Sequence, residues 1–159
     1  MVKKEYITWN EKLVLGVPVL DKQHEILIAK INNLNEVEPG NTDAETADMF
    51  ASTNDLFCYI RYHFFTEEKL MILLEFDGYT VHKKQHDGYI AEILEKSKLL
   101  EDGTQRSFDN YIEFLKNWVF SDIRGYDTIF RDFIFEYKDH QKLMPLLSPK
   151  PLSENIYAS

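Results

Sequence analysis

Four segments of this chain repeat apolar side chains every three or four residues, and each also carries histidine or carboxylate residues inside its apolar stripe. Steps of three and four place side chains on one face of an α-helix, so the pattern predicts four amphipathic helices. Short turns separate these segments, and none of them alternates like a β-strand. The sequence therefore predicts an all-α protein, folded as an up-down-up-down four-helix bundle.

The flanking segments complete the expected architecture of the 159-residue chain. Residues 1–20 lack a helical period, so we expect an extended N-terminal arm that leads into the first helix at Asp21. Residues 126–140 predict a short C-terminal helix. We expect residues 1–140 to form one domain and residues 141–159 to form a flexible C-terminal tail.

The composition excludes several classes of function. Acidic residues outnumber basic ones by 27 to 18, whereas surfaces that bind nucleic acid or anionic membranes are basic. No apolar run approaches the roughly 20 residues of a membrane span, and the N-terminus lacks the apolar core of a signal peptide. Cys58 is the only cysteine, which is typical of a reducing compartment. We expect a cytoplasmic protein with no nucleic-acid or membrane partner.

Polar residues interrupt the apolar stripes of all four predicted helices. They are His24, His63, Glu67, His82, His86 and Asp122. Two pairs among them are spaced four residues apart and so share a helix face. A buried polar group is costly unless it is satisfied, and a single histidine can be satisfied by one hydrogen bond. Donors that converge from four helices instead indicate a metal site.

The residue types narrow the choice of metal. No thiolate takes part, which disfavours structural zinc and iron–sulfur clusters. Imidazoles with carboxylates suit iron or manganese, and zinc is also compatible. More than four candidate ligands indicate two ions, which a carboxylate such as Glu67 would bridge. The ferritin-like Glu-x-x-His pattern and the protease pattern His-Glu-x-x-His are both absent. The alternative is a metal-free bundle whose core histidines are satisfied by hydrogen bonds.

Four short motifs resemble those of the hemerythrins, in particular the bacterial ones. They are ITWNEKLVLGVPVLDKQH, HFFTEE, HKKQH and WVFSDIRGYD, in the family's order. The resemblance implies a non-haem di-iron centre inside a four-helix bundle. His24 and His63 would hold one iron, which keeps an open position for dioxygen, and His82 and His86 would hold the other. Glu67 and Asp127 would bridge the two irons, together with an oxo or hydroxo group from solvent.

Asp122 departs from the family pattern, because the family has a third histidine on the second iron at this position. Asp122 either binds that iron directly, holds a water that binds it, or leaves it weakly bound or absent. We favour the first two interpretations, because an unpaired buried carboxylate is costly. Asp127 lies five residues further on and reaches the same face only if the helix is interrupted, which Gly125 would permit.

The resemblance implies that the protein binds dioxygen, as hydroperoxide, for carriage, storage or sensing. We expect a monomer that is not an enzyme. Asp122 supports two alternatives, because a carboxylate stabilises Fe(III) more than imidazole does and should speed autoxidation. One is a di-iron oxidase or peroxidase served by an unidentified redox partner, and the other is an iron or dioxygen sensor.

Overall fold

The structure is a computed structural model that describes residues 6–39 and 42–149, and this part of the chain is helical with no β-strand. Its α-helices are α1 (Pro18–Asn35), α2 (Asp43–Leu73), α3 (Tyr79–Ser97), α4 (Gln105–Arg124), α5 (Tyr126–Glu136) and α6 (His140–Leu147). Two short 3-10 helices cover Glu11–Leu13 and Lys98–Asp102. The predicted all-α class is confirmed.

The four long helices pack as a bundle. Helices that follow one another in sequence contact each other from α1 to α4, and α4 closes the bundle against α1. Short connections make successive helices antiparallel, so α1 and α3 begin at the end of the bundle where α2 and α4 finish. The predicted four-helix bundle with a short C-terminal helix is confirmed.

Side-chain caps fix where α2 and α4 begin. Thr42 Oγ1 accepts a hydrogen bond from the Glu45 backbone at 3.2 Å, and the Glu45 carboxylate accepts one from the Thr42 backbone at 3.0 Å. Thr104 Oγ1 accepts a hydrogen bond from the Ser107 backbone at 3.2 Å. Such caps contribute about 1 kcal/mol each. They hold the first turns of α2 and α4, which begin at Asp43 and Gln105.

The first helix begins earlier than the sequence predicts. α1 starts at Pro18 instead of Asp21, because proline suits the first helical position, where its missing N–H is not needed. The Asp21 carboxylate instead accepts hydrogen bonds from the backbone of Leu15 and Gly16, at 2.7 and 2.9 Å. These bonds hold the described part of the arm, residues 6–17, against the start of α1.

The C-terminal region is more helical than the sequence predicts. The segment predicted as one helix contains α5, which ends at Glu136, and the first residue of α6. α6 extends into the predicted tail because Leu143 and Leu147 lie one turn apart and are both buried. The tail predicted from residue 141 therefore begins inside a packed helix. Residues 150–159 of that prediction lie outside the described residues.

Candidate metal centre

One end of the bundle interior is strongly polar. Seven titratable side chains there are at most 3% exposed: His24, His63, Glu67, His82, His86, Asp122 and Asp127. They lie near the starts of α1, α3 and α5 and near the ends of α2 and α4, which the antiparallel order brings to the same place. The structure thus brings together every residue predicted as a ligand.

A break between α4 and α5 places Asp127 in this cluster. Gly125 ends α4, and a Cβ built on it would lie 2.7 Å from the backbone oxygen of Ser121. Any side chain at this position would force the backbone to shift. In an unbroken helix, a residue five positions after Asp122 would point away from the face that Asp122 occupies. The predicted interruption at Gly125 is confirmed.

His24 and His63 form the first group with the two shared carboxylates. The Nε2 atoms of His24 and His63 are 3.1 Å apart. His24 Nε2 lies 3.2 Å from Asp127 Oδ2, and His63 Nε2 lies 3.7 Å from Glu67 Oε2. One ligand atom from each of the four residues lies within 4.8 Å of the others. Ligands about 2.1 Å from one ion are at most about 4.2 Å apart, so a small adjustment would let these atoms share a cation.

His82 and His86 form the second group with the same two carboxylates. His86 Nε2 lies 3.2 Å from Glu67 Oε2, and His82 Nε2 lies 3.2 Å from Asp127 Oδ1. This group has one ligand atom from each residue within 4.8 Å of the others, like the first. Asp127 therefore directs one oxygen towards each group, and Glu67 Oε2 lies between His63 and His86. Both carboxylates thus lie between the two histidine pairs.

The polar atoms of the cluster have few partners of their own. Among the described residues, both oxygens of Glu67 and of Asp127, and Nε2 of His82 and His86, lack a well-oriented hydrogen bond. Each buried group left unsatisfied costs about 1–3 kcal/mol. A pair of cations would satisfy these atoms together. The residues present therefore fit two divalent metal ions.

The carboxyl groups of the cluster interact strongly. Burial, followed by the charges of Asp127 and Asp122, raises the pKa of Glu67 well above its ordinary value. Burial and the charge of Asp127 likewise raise the pKa of Asp122. Burial also acts to raise the pKa of Asp127, but the His24 and His82 imidazoles, each 3.2 Å from one of its oxygens, outweigh it and hold that pKa below its ordinary value. Asp127 is thus the carboxylate most readily ionised without a metal.

Burial keeps two of the histidines neutral. It lowers the pKa of His63 well below its ordinary value, with a further contribution from His24. It also lowers the pKa of His86 to about 3, assisted by His82. A neutral imidazole has a free lone pair, which is the form that binds metals. These two ligands would bind an ion without first losing a proton at neutral pH.

Two polar side chains orient the histidine rings from outside. His63 Nδ1 lies 2.9 Å from Gln23 Oε1, and His86 Nδ1 lies 3.0 Å from Glu68 Oε1. Each Nδ1–H donates outwards, which leaves Nε2 to face the centre. Burial raises the pKa of Glu68, and the charge of Lys83 opposes this effect. The roles of Gln23 and Glu68 are not predicted from the sequence, although each residue adjoins a predicted ligand in the chain.

Asp122 lies at the edge of the cluster. Its Oδ2 is 3.8 Å from His63 Nε2, it forms no ion pair with His82 or His86, and it belongs to neither four-residue group. From the resemblance, we expected it beside His82 and His86. α4 thus places this side chain closer to His63 than to His82 or His86. Its Oδ2 has no hydrogen-bond partner among the described residues.

Apolar and aromatic side chains enclose the centre. The Phe64 ring stacks on the His86 ring, with centroids 3.9 Å apart and planes 7° from parallel. Trp118 meets Phe64 edge-on at 6.1 Å. Ile28 and Leu115 lie one and two helical turns from His24 and Asp122, on the same helix faces, and are at most 2% exposed. These walls fix the His86 ring and limit the access of water to the polar cluster.

The fold and the site together define a class: four-helix-bundle proteins with a buried site for cations. The model of the Hemerythrin HHE cation binding domain matches residues 15–133 of this chain. The chain belongs to the hemerythrin family. Within the described ranges, no helix combines the length and the apolar character needed to cross a membrane.

Relatives from distant organisms show the same similarity over most of their length. A bacteriohemerythrin of Stenotrophomonas maltophilia is 28% identical over 126 residues, covering 79% of this chain and 80% of the relative. A hemerythrin-like protein of Naegleria gruberi is 28% identical over 77% of this chain and 89% of its own. A myohemerythrin of Riftia pachyptila is 29% identical over 82% of this chain and 89% of the relative.

Proposed function

We propose that the protein binds dioxygen at two non-haem iron ions held inside the bundle, for carriage, storage or sensing. The observation that supports this most is the pair of donor groups that share Glu67 and Asp127. Each group offers two imidazoles and two carboxylates, a set that suits iron. The membership of the chain in the hemerythrin family supports the same function.

The proposed ligands follow the two groups. His24 and His63 would hold one iron, His82 and His86 would hold the other, and Glu67 and Asp127 would contribute to both. Asp127 suits bridging because its two oxygens face different groups, at 3.2 Å from His24 Nε2 and 3.2 Å from His82 Nε2. Asp122 remains a proposed ligand, direct or through a water.

The protein's own residues prepare the site for dioxygen. Two ferrous ions, when bound, supply the two electrons that reversible binding of dioxygen requires. Gln23 and Glu68 orient His63 and His86 so that Nε2 faces the centre. Phe64, Trp118 and Leu115 present apolar surface, which admits dioxygen and excludes the water that would compete with it. The buried setting also strengthens every electrostatic interaction within the cluster.

A second candidate function is a di-iron oxidase or peroxidase with a redox partner. Asp122 favours it, because it adds a third buried carboxylate beside the histidines. Anionic oxygen ligands stabilise Fe(III) more than neutral imidazole does. A centre that oxidises readily suits repeated turnover better than reversible carriage. Multiple turnovers of an added reductant would favour this function.

We further propose that residues 1–140 form the iron-binding domain and act as a monomer in the cytoplasm. All six proposed ligands of the two groups, and Asp122, lie between α1 and the start of α5. α6 packs against α1. Removal of residues 141–159 should therefore lower stability, through the loss of Leu143 and Leu147, without removing a ligand.

The direct test is anaerobic reconstitution with ferrous iron, followed by exposure to air. We expect two irons per chain and a visible absorption band that appears with dioxygen and fades when dioxygen is removed. His63→Ala should lose iron and the band. His140→Ala, which changes an exposed histidine, is the matched control and should behave like the wild type.

The outcomes separate the candidate functions. An irreversible change to an oxidised spectrum, with two irons retained, would favour the redox enzyme over dioxygen carriage. Trace iron in both wild type and His140→Ala would contradict the di-iron proposal as a whole.

A further inference from the structure

The two histidine groups differ in their outer hydrogen bonds. Each group contains two histidines and the same two carboxylates, Glu67 and Asp127. The outer nitrogen of His63 faces the neutral amide of Gln23 at 2.9 Å, whereas that of His86 faces the carboxylate of Glu68 at 3.0 Å. The groups are therefore similar in their direct donors and unlike in the next layer of contacts.

The neutral partner is held firmly in place. Gln23 is 5% exposed, and its Nε2 donates to Thr66 Oγ1 at 3.1 Å. The Thr66 hydroxyl donates in turn to the backbone oxygen of Tyr62 at 3.0 Å. Because the amide nitrogen is committed to Thr66, the amide oxygen is the atom left to accept from His63. On this side of the centre, the histidine therefore donates its outer hydrogen bond to a neutral acceptor.

The charged partner lies nearer the surface. The Glu68 side chain is 18% exposed, and its Oε2 lies 3.7 Å from Lys83 Nζ. Lys83 also forms a 2.6 Å ion pair with Asp87, so its charge is divided between two carboxylates. Oε1 of Glu68 accepts from Nδ1 at the edge of the His86 ring, and Phe64 stacks on the face of that ring and holds its plane. His86 is thus fixed between an aromatic ring and a carboxylate.

A carboxylate acceptor makes a histidine a more basic ligand than a neutral amide does. We propose that Glu68 is a positioning residue that acts through His86. It makes the ligands at the metal position of His82 and His86 more electron-donating, whereas Gln23 has no such effect on the metal position of His24 and His63. This inference rests on the proposed di-iron function. Its consequence is that the two ions have unequal reduction potentials partly set by residues that touch neither ion.

The test exchanges the two partners by near-isosteric substitution. Glu68→Gln keeps an acceptor for His86 and removes the carboxylate, and Gln23→Glu introduces one beside His63. The readouts are iron content and the potentials of the two one-electron steps in an anaerobic redox titration. Outer partners typically change metal affinity by a factor of about 10 to 100. We expect Glu68→Gln to reduce the ferric preference of one step about tenfold, which raises its potential by about 59 mV.

The remaining variants fix the sign of the effect. Gln23→Glu should lower the potential of the other step. Lys83→Gln removes the cation that draws charge from Glu68. It should therefore lower the potential of the step that Glu68→Gln raises, and by a smaller amount. Glu95→Gln, which changes an exposed carboxylate on α3, is the matched control and should leave both steps unchanged. Asp122 is present in every variant, so the comparison isolates the outer partners.

Two failures are distinguishable. If wild type takes up no iron, the proposed function fails, and this inference fails with it. Wild type and Glu68→Gln could both hold two irons while the ferric preference of each one-electron step differs between them by less than about twofold. In that case this inference alone is wrong. Should Glu68→Gln not fold, Lys83→Gln decides the question, and an unchanged or raised potential there would overturn the inference.

Discussion

The two ends of the bundle interior are built from the same helices and serve different purposes. At one end, α1, α2 and α4 meet through fully apolar side chains such as Ile31, Leu56 and Ile112, each at most 2% exposed. At the other end the same helices present His24, Glu67 and other titratable groups that are equally buried. The two ends of the core are thus equally buried, but one contains apolar side chains and the other contains titratable ones.

This difference separates stability from binding. Burying a large apolar side chain contributes about 1.5–3 kcal/mol, whatever else is bound. An unsatisfied buried polar group costs about 1–3 kcal/mol until a partner satisfies it. The apolar end should therefore stabilise the fold with or without metal, and the polar end should stabilise it only when ions are present.

The largest effect on binding should come from a carboxylate shared by both groups. Glu67→Ala removes a donor from each group at once, so we expect iron affinity to fall by more than about 100-fold, the upper range for loss of an outer partner. The folded state should persist, since the apolar end is intact. Iron content after gel filtration and far-UV circular dichroism would measure the two effects. Two irons retained by Glu67→Ala would refute the shared-ligand arrangement.

A substitution at the apolar end should produce the reverse pattern. Leu56→Ala leaves a cavity in the core and should lower the free energy of unfolding by about 2–5 kcal/mol. The folded protein should still take up two irons per chain. Leu94→Ala, at a site 46% exposed, is the control and should change stability by less than about 0.5 kcal/mol. Denaturant titration with parallel iron analysis would show whether the two ends are independent.

The pH dependence of the metal-free protein should identify the polar end as the source of instability. The pKa of His86 falls to about 3 in the folded state, so the unfolded chain binds a proton that the folded chain does not. Its stabilising contribution is lost as pH falls from about 6.5 towards 3, by up to about 1.4 kcal/mol per pH unit.

Two carboxyl groups of the cluster, those of Glu67 and Asp122, act in the other direction. The pKa of Glu67 is raised above its ordinary value of 4.5 in the folded state, so the folded chain keeps a proton that the unfolded chain releases. Stability is then lost as pH rises above about 4.5. We expect the melting temperature of metal-free protein to peak between about pH 4.5 and 6.5, and iron to move the peak upwards. A metal-free protein that is most stable above pH 8 would contradict this assignment.

The smallest effect should come from the edge of the polar end. Asp122→His replaces an anionic oxygen with imidazole, so the ferrous centre should lose electrons about tenfold more slowly in air, a change comparable to that of an outer ligand partner. Asp122→Asn, which removes the charge without adding imidazole, separates the two contributions. Stopped-flow or slow optical recording of autoxidation would measure the rates. An Asp122→His variant that autoxidises as fast as wild type would show that Asp122 does not tune the centre.

Local sequence patterns predict much of this arrangement. The spacing of His82 and His86, the cap at Thr42 and the break at Gly125 each depend on residues close in the chain, so periodicity and turn chemistry predict them. α6 depends on whether Leu143 and Leu147 find a surface to pack against, which local pattern does not show.

The outer partners were not predictable for the same reason. Glu68 on α2 contacts His86 on the neighbouring helix α3, and Gln23 on α1 contacts His63 on α2. Any glutamate beside Glu67 could equally have faced solvent. The proximity of Asp122 to His63 depends on the relative rotation of α2 and α4, which tertiary packing sets. The sequence thus predicted which titratable side chains gather in the core better than the contacts that orient them.

The most direct measurement of the central claim is the number of ferrous ions that the reduced protein binds per chain under anaerobic titration. Two groups that share Glu67 and Asp127 should give a stoichiometry of two in wild type and none in a Glu67→Ala, Asp127→Ala double variant. One ion per chain, or uptake that survives the double substitution, would show that the buried histidines and carboxylates do not form a bridged pair of sites.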